Sequence, residues 1–277
     1  MSGAGWTDDG ADSTGSDVAR IVSIGGSVTE IVYALGAEDG LVAVDSTSLY
    51  PQSAQDLPDV GYMRQLAAEP ILALGPTLLL AVDDAGPPTV LDQLREAGTP
   101  LVVVPDEPSP EGVAEKVRVV ANALGMEGEG ATMAERLTAD FAALRDWVAT
   151  TKTKPKVLFL LSVGNGAPLA AGRETSAAGI IELAGGANAI DGFEGYEPLS
   201  PEATVTAAPD VVLVTGRTFD LLGGQEAILS RPEIAATPAG QNGDIVVMDG
   251  LLLLGFGPRT PEAARELALA LHPDLQE

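Results

Sequence analysis

In Gly61-Tyr62-Met63-Arg64 a tyrosine and an arginine stand two residues apart, and no other pairing in this 277-residue chain suggests ligand chemistry as directly. Side chains of an extended segment alternate between faces, so positions i and i+2 can act together. A phenolate ligates ferric haem iron, and a neighbouring guanidinium favours the ionised phenol. A tyrosine beside an arginine is also commonplace on surfaces, so the pair alone leaves both readings open.

Other chemistry finds fewer parts. Ser23-Ile24-Gly25-Gly26-Ser27 runs a strand into a Gly-rich turn, where backbone amides could cradle an anion while Ser27 caps the following helix. The turn lacks the G-x-G-x-x-G spacing and a P-loop lysine, so a tight structural turn is favoured over a nucleotide site. Nucleophilic catalysis needs a base beside the nucleophile, and the single histidine, His272, precedes a proline near the C-terminus, where a helix end is expected. No G-x-S-x-G elbow and no H-E-x-x-H motif occurs. Cysteine is absent and no histidines cluster, which removes thiolate and imidazole metal cages. The case for an enzyme is thin, and a carrier of metal ions is not expected either.

Charge narrows the partners. With 15 Lys and Arg against 40 Asp and Glu, the net charge of −25 repels nucleic acid phosphates and anionic lipid headgroups. No apolar run approaches the ~20 residues that span a bilayer. Residues 1–17, rich in Gly, Ser, Thr and Asp, read as a disordered tail or tether, with no basic and apolar secretory signal before them.

The elements that must position these residues follow an α/β grammar: short apolar β-branched runs alternate with helically spaced segments, as in parallel sheets covered by crossover helices. Strands are expected at Ile21 to Ile24, Leu41 to Asp45, Thr77 to Val82 and Leu101 to Pro105, then at Lys156 to Ser162, Asp210 to Thr215 and Asp244 to Asp249. Helices should open near Thr175, Pro201 and Thr260. Between the halves, Met133, Leu137, Phe141, Leu144 and Val148 recur at steps of 4, 4, 3 and 4 and so share one face of a single helix, expected from Ala131 to Thr150. Lys154-Pro155 should stop it. The resulting organisation is an N-terminal lobe over 18–130, a connecting helix over 131–154 and a C-terminal lobe over 155–277, with a ligand cleft between two α/β lobes of mainly parallel sheet. An internal repeat points the same way: Leu66, Glu69 and Pro76 recur as Leu199, Glu202 and Pro209, and Ser27, Ile31, Val32 and Gly36 echo as Ser176, Ile180, Ile181 and Gly185.

Two long stretches, Arg20 to Glu30 and Leu57 to Arg64, resemble the periplasmic haem-binding proteins of bacterial haem ABC importers. So do Ala171-Gly172-Arg173-Glu174-Thr175-Ser176, Leu183-Ala184-Gly185-Gly186, Thr237-Pro238-Ala239-Gly240 and Gly255-Phe256-Gly257-Pro258-Arg259. The resemblance runs from about Arg20 to the C-terminus. The wider group includes cobalamin- and siderophore-binding proteins, while Gly-Tyr-Met-Arg is more particular to haem. It implies that Tyr62 is the axial ligand to haem iron and that Arg64 supports it or contacts the haem. Arg173, Arg217 and Arg259 become candidates to meet propionates in the cleft, each equally suited to a structural ion pair. Glu69 and Glu202 become acidic knobs, one per lobe, that dock on an ABC permease with its ATPase subunits.

Some relatives hold iron with a second-lobe histidine that this chain lacks, leaving Tyr196 as a substitute. Leu251 to Phe256 could line the haem or form a buried core strand. The implied protein is exported, monomeric and carries haem as its cargo, with small lobe movement and release driven by the permease. The rivals are a cobalamin or ferric-siderophore carrier of the same fold, or a Rossmann-like nucleotide-dependent enzyme using Gly25-Gly26.

Overall fold

The computed structural model describes residues 19–162 and 168–275; the expected tail at residues 1–17 lies outside the described residues. Four strands form the N-terminal sheet: β1 (Ile21–Ile24), β2 (Leu41–Val44), β3 (Leu78–Val82) and β4 (Leu101–Val104). They are all parallel, in the order β2-β1-β3-β4. Each lies within one residue of its expected bounds; β1, β2 and β3 are largely buried, so the apolar stretch is the strand itself, while the edge strand β4 leaves Val103 exposed.

The C-terminal sheet is mixed. Its strands are β5 (Lys156–Leu161), β6 (Leu169–Ala171), β7 (Ala187–Asn188), β8 (Tyr196–Pro198), β9 (Val211–Thr215) and β10 (Ile245–Met248). The segment β10-β9-β5 is parallel, β7 pairs with β5 in parallel, and β6 and β8 extend the sheet antiparallel. These three short strands were not expected, being too brief to show a hydrophobic period. Side chains of β5 alternate between two cores: Val157 and Phe159 join the larger core, Leu158 and Leu160 a smaller one closed by Ile228, Ile234 and Ala239.

One helix, Glu127–Val148, joins the lobes and is about 33 Å long at 1.5 Å per residue. It opens about one turn before the expected Ala131 and buries Met133, Leu137, Phe141 and Leu144 along one face, with Val148 partly buried. Gly130 permits close approach to Ala121 of helix Pro110–Leu124, while Val148 reaches Gly185 of the second lobe. The helix stops ahead of Lys154-Pro155 because Thr150 Oγ1 donates to the Trp147 carbonyl at 2.7 Å and Thr151 N closes on Val148 O at 3.0 Å.

The repeat has a structural counterpart in each lobe. Helices Gly26–Ala34 and Ser176–Leu183 both bury their central isoleucine or valine pair and are followed by glycines with φ of 76° and 77°, Gly36 and Gly185. Helices Ala68–Ala73 and Pro201–Ala207 lead into β3 and β9, each preceded by a left-handed residue and a proline: Gly75-Pro76 and Ala208-Pro209. Leu251 to Phe256 is not a strand. Residues Gly250–Leu254 are helical, because the Asp249 carboxylate accepts from Leu252 N at 2.8 Å and caps the turn.

Candidate functional site

Open α/β sheets hold ligands in a crevice beyond the carboxyl ends of their parallel strands, which in this fold is the region between the lobes. At the strand ends lie Gly25, Asp45 and Thr47 in the first lobe, after β1 and β2, and Thr215 and Asp249 in the second, closing β9 and following β10; Gly25, Asp45 and Thr215 are buried, Thr47 is partly so and Asp249 is exposed. The lobes touch at the base, where Leu251 lies so close to Gly26 that no side chain fits at that glycine. The amides of the Gly25-Gly26 turn are already engaged: Gly25 N donates to Asp45 Oδ1 at 2.8 Å and Gly26 N to Thr47 Oγ1 at 3.0 Å. A protein carboxylate therefore occupies the position an anion would take. Ser27 makes no helix cap, contrary to expectation; its hydroxyl accepts from Lys116 Nζ at 3.2 Å, which draws it away from the helix amides.

The interlobe seam is lined with charges, of which the sequence had marked Arg259, as suited to a structural ion pair, but not Lys116 or Glu30. Lys116 is wholly buried, and its ammonium donates to Asp106 and Ser27 of its own lobe and to the carbonyls of Gly255 (3.3 Å) and Phe256 (2.9 Å) of the other. In the reverse sense, Glu30 of the first lobe accepts a fork from Arg259 of the second, with Nε at 3.0 Å and Nη2 at 2.9 Å. The Arg259 guanidinium also lies 3.5 Å from the centroid of the Tyr50 ring. Burial works against the Arg259 charge, but Glu30 and the nearby Tyr50 and Glu262 push its pKa above the usual range.

Tyr62 stands at the rim of the crevice, 40% exposed. The segment is not extended. Gln65 N donates to Tyr62 O at 2.7 Å, so Met63 and Arg64 are the central residues of a tight turn. Buried Met63 plugs the turn into the core, and Gly61, at φ 95°, supplies the left-handed conformation at its start. Ser46 N to Gly61 O (3.0 Å), Gly86 N to Met63 O (2.8 Å) and Leu66 N to Gly86 O (2.9 Å) fasten this turn to the loops after β2 and β3.

Arg64 Nη1 donates to Tyr62 Oη at 2.6 Å, and Arg64 Nη2 pairs with Asp84, just beyond the carboxyl end of β3. The phenol oxygen is thus oriented by one donor and keeps lone-pair capacity for a further partner. Burial opposes the Arg64 charge, yet its hydrogen bond to Tyr62 and the Asp84 carboxylate push its pKa upward. Asp84 responds to the same contact differently. Burial and the nearby carboxylates of Asp106 and Asp83 push its pKa up, and Arg64 only partly reverses this. With both groups close to half exposed, solvent moderates each effect, and burial, aided by the neighbouring carboxylates, sets the direction at Asp84.

Tyr196 of β8 faces this rim from the second lobe. Its ring packs edge-on against Phe159, with centroids 6.3 Å apart. Burial pushes the Tyr196 phenol pKa up, while hydrogen bonds with the Ala177 backbone and Thr175, and the charge of Arg64, pull it down. Its hydroxyl is committed to its own lobe, unlike that of Tyr62.

The three remaining arginines separate. Arg173 is held within the second lobe by the Asp191 carbonyl and Glu194, and Arg259 belongs to the seam. Arg217 is exposed in helix Gly216–Leu221 directly after β9, with no ion pair among the described residues. Glu69 and Glu202 are both exposed in the first turns of their helices, at matching positions in the two lobes. His272 ends helix Thr260–Leu271, as expected, and is buried. Asp84, Glu30 and Lys116 escaped the sequence reading. Asp84 alone carried a usable signal, an acidic pair, Asp83-Asp84, closing a buried strand run where crevices open.

Two α/β lobes, bridged by one helix and meeting at a crevice lined by strand ends, define a two-lobed solute-binding protein. The periplasmic binding protein family matches residues 21–251, and this chain belongs to that family. Among solved structures it is similar to the periplasmic heme-binding protein RhuT from Roseiflexus sp. RS-1 in apo form, with 42% identity, a TM-score of 0.90, and 93% of this chain and 99% of that chain covered. The periplasmic heme-binding protein BhuT in complex with two hemes is similar at 40% identity and a TM-score of 0.88, over 93% and 99% of the two chains. A relative named vitamin B12-binding protein, from Yersinia pestis (strain Pestoides F), is 32% identical over 71% of this chain and 69% of its own length.

Proposed function

We propose that this chain is the extracytoplasmic haem-capturing component of a bacterial ABC importer and performs no covalent chemistry. Haem is its cargo: the porphyrin lies in the interlobe crevice, the Tyr62 oxygen ligates the ferric iron, and Arg64 hydrogen-bonds that oxygen. The observation that carries this reading is an exposed phenol at the crevice rim whose oxygen sits 2.6 Å from a guanidinium anchored on its other arm. Similarity at about 40% identity to two heme-binding proteins supports it. Arg217 is the cleft arginine free to meet a propionate, whereas Arg173 and Arg259 are spoken for. Glu69 and Glu202, exposed at equivalent places in the two lobes, fit a pair of acidic docking points for a permease that spans both. Among the described residues no helix is long and apolar enough to cross a membrane.

Titration of the purified protein with hemin tests this. A Soret shift together with a phenolate-to-iron charge-transfer band is expected. Tyr62→Phe should abolish the band and weaken binding about a hundredfold, about 2.8 kcal/mol. The vitamin B12-binding relative favours one second reading, a cobalamin carrier of the same fold. Saturable cyanocobalamin binding, with hemin bound no better by wild type than by Tyr62→Phe, would select that reading.

A further inference from the structure

We propose that Asp84 is the positioning residue of the Tyr62 site: by holding one arm of the Arg64 guanidinium, it aims the other at the phenol oxygen. The assignment rests on the reading of Tyr62 as the ligand to haem iron and adds a residue to it.

The geometry is that of a relay with one rigid link. A guanidinium is planar, so fixing Nη2 on Asp84 fixes the direction of Nη1, which lies 2.6 Å from Tyr62 Oη. Without a second anchor, an arginine half exposed at a rim would sample many rotamers and meet the phenol only part of the time. The anchor does not drift, because the Asp84 loop is tied to the Tyr62 turn by the two backbone hydrogen bonds between Gly86 and the residues Met63 and Leu66. Carboxylate, guanidinium and phenol are therefore held in register by main chain.

Folding gains little from this arrangement. Exposed ion pairs contribute little stability, and Asp84 carries its charge against burial and beside two further carboxylates, Asp83 and Asp106. A carboxylate kept at an unfavourable position, gripping the side chain that donates to the candidate ligand oxygen, marks a functional placement.

A double-mutant cycle on the full chain, read with hemin, tests the assignment. Asp84→Ala should weaken hemin binding about tenfold and move the phenolate-to-iron band toward that of Arg64→Ala. In the Arg64→Ala background, Asp84→Ala should change affinity by less than about twofold, since the relay is already broken. Asp84→Asn, whose amide oxygen still accepts from Nη2, should restore the band position. Thermal melts of every variant identify any that fail to fold, and for such a variant the Asp84→Asn band decides. An additive loss in the Arg64→Ala background, or an unmoved band in Asp84→Ala, overturns the assignment alone. A wild-type complex without the band removes the Tyr62 reading and this assignment with it.

Discussion

The seam and the rim of one crevice handle charge in opposite ways. At the seam, Lys116 is fully buried and Glu30 nearly so; Lys116 pairs with Asp106 of its own lobe and donates to two carbonyls of the other, and Glu30 pairs with Arg259 across the lobes. At the rim, Tyr62, Arg64 and Asp84 are 40% or more exposed and all belong to the first lobe. Removing an ammonium from water is tolerated only when its donors are satisfied in full, which makes the seam stiff around Lys116. Exposed groups keep their exchange with water and remain available to an incoming ligand. A single helix and a dry ionic seam fix how the lobes sit, and the chemistry is left to the wet edge.

The sharpest way to break this contrast is at Lys116. Replacing it by Ala strands the Asp106 carboxylate and the Gly255 and Phe256 carbonyls and leaves a cavity where three methylenes and the ammonium packed. A loss of about 3–5 kcal/mol is expected, measured by urea unfolding. A loss under about 1 kcal/mol would mean that water already reaches the seam.

Glu30 sharpens the contrast. Glu30→Ala leaves Arg259 without its fork, but that guanidinium is 21% exposed and retains the Tyr50 ring. The expected loss is smaller, about 2–3 kcal/mol by the same measurement. Hydrogen exchange should rise on both sides of the seam, in helix Gly26–Ala34 and in the turn before Thr260.

The seam was also the part least legible in the sequence. Strands β1 to β4, β5, β9 and β10 could be read because each is a continuous apolar run, and the connecting helix because five apolar residues keep one period. The Tyr62–Arg64 pair was legible through residue type, although the turn that joins them was mistaken for extended chain. Lys116 reads as one more polar residue of an amphipathic helix; nothing local reveals that carbonyls about 140 residues away complete its shell. The partnership of Glu30 with Arg259 is likewise non-local, and an acidic residue in a chain with 40 of them carries no signal by itself. The helix at Gly250–Leu254 was missed for a different reason: four leucines suit strand and helix equally, and the deciding residue is the Asp249 cap.

Tyr196 marks where dry gives way to wet, and its effect should be the smallest. Burial raises its phenol pKa in the folded protein, whereas the unfolded chain ionises near the ordinary value of about 10. Above that value the unfolded state binds fewer protons than the folded one, so stability falls as pH rises. The contribution is complete below about pH 10 and is lost as the pH climbs through the raised folded value. Between about pH 9 and pH 11 wild type should lose more stability than Tyr196→Phe, by on the order of 1 kcal/mol or less. Equal losses would mean that solvent reaches the Tyr196 hydroxyl, and the wet region would then extend across the crevice into the second lobe instead of ending at the Tyr62 rim.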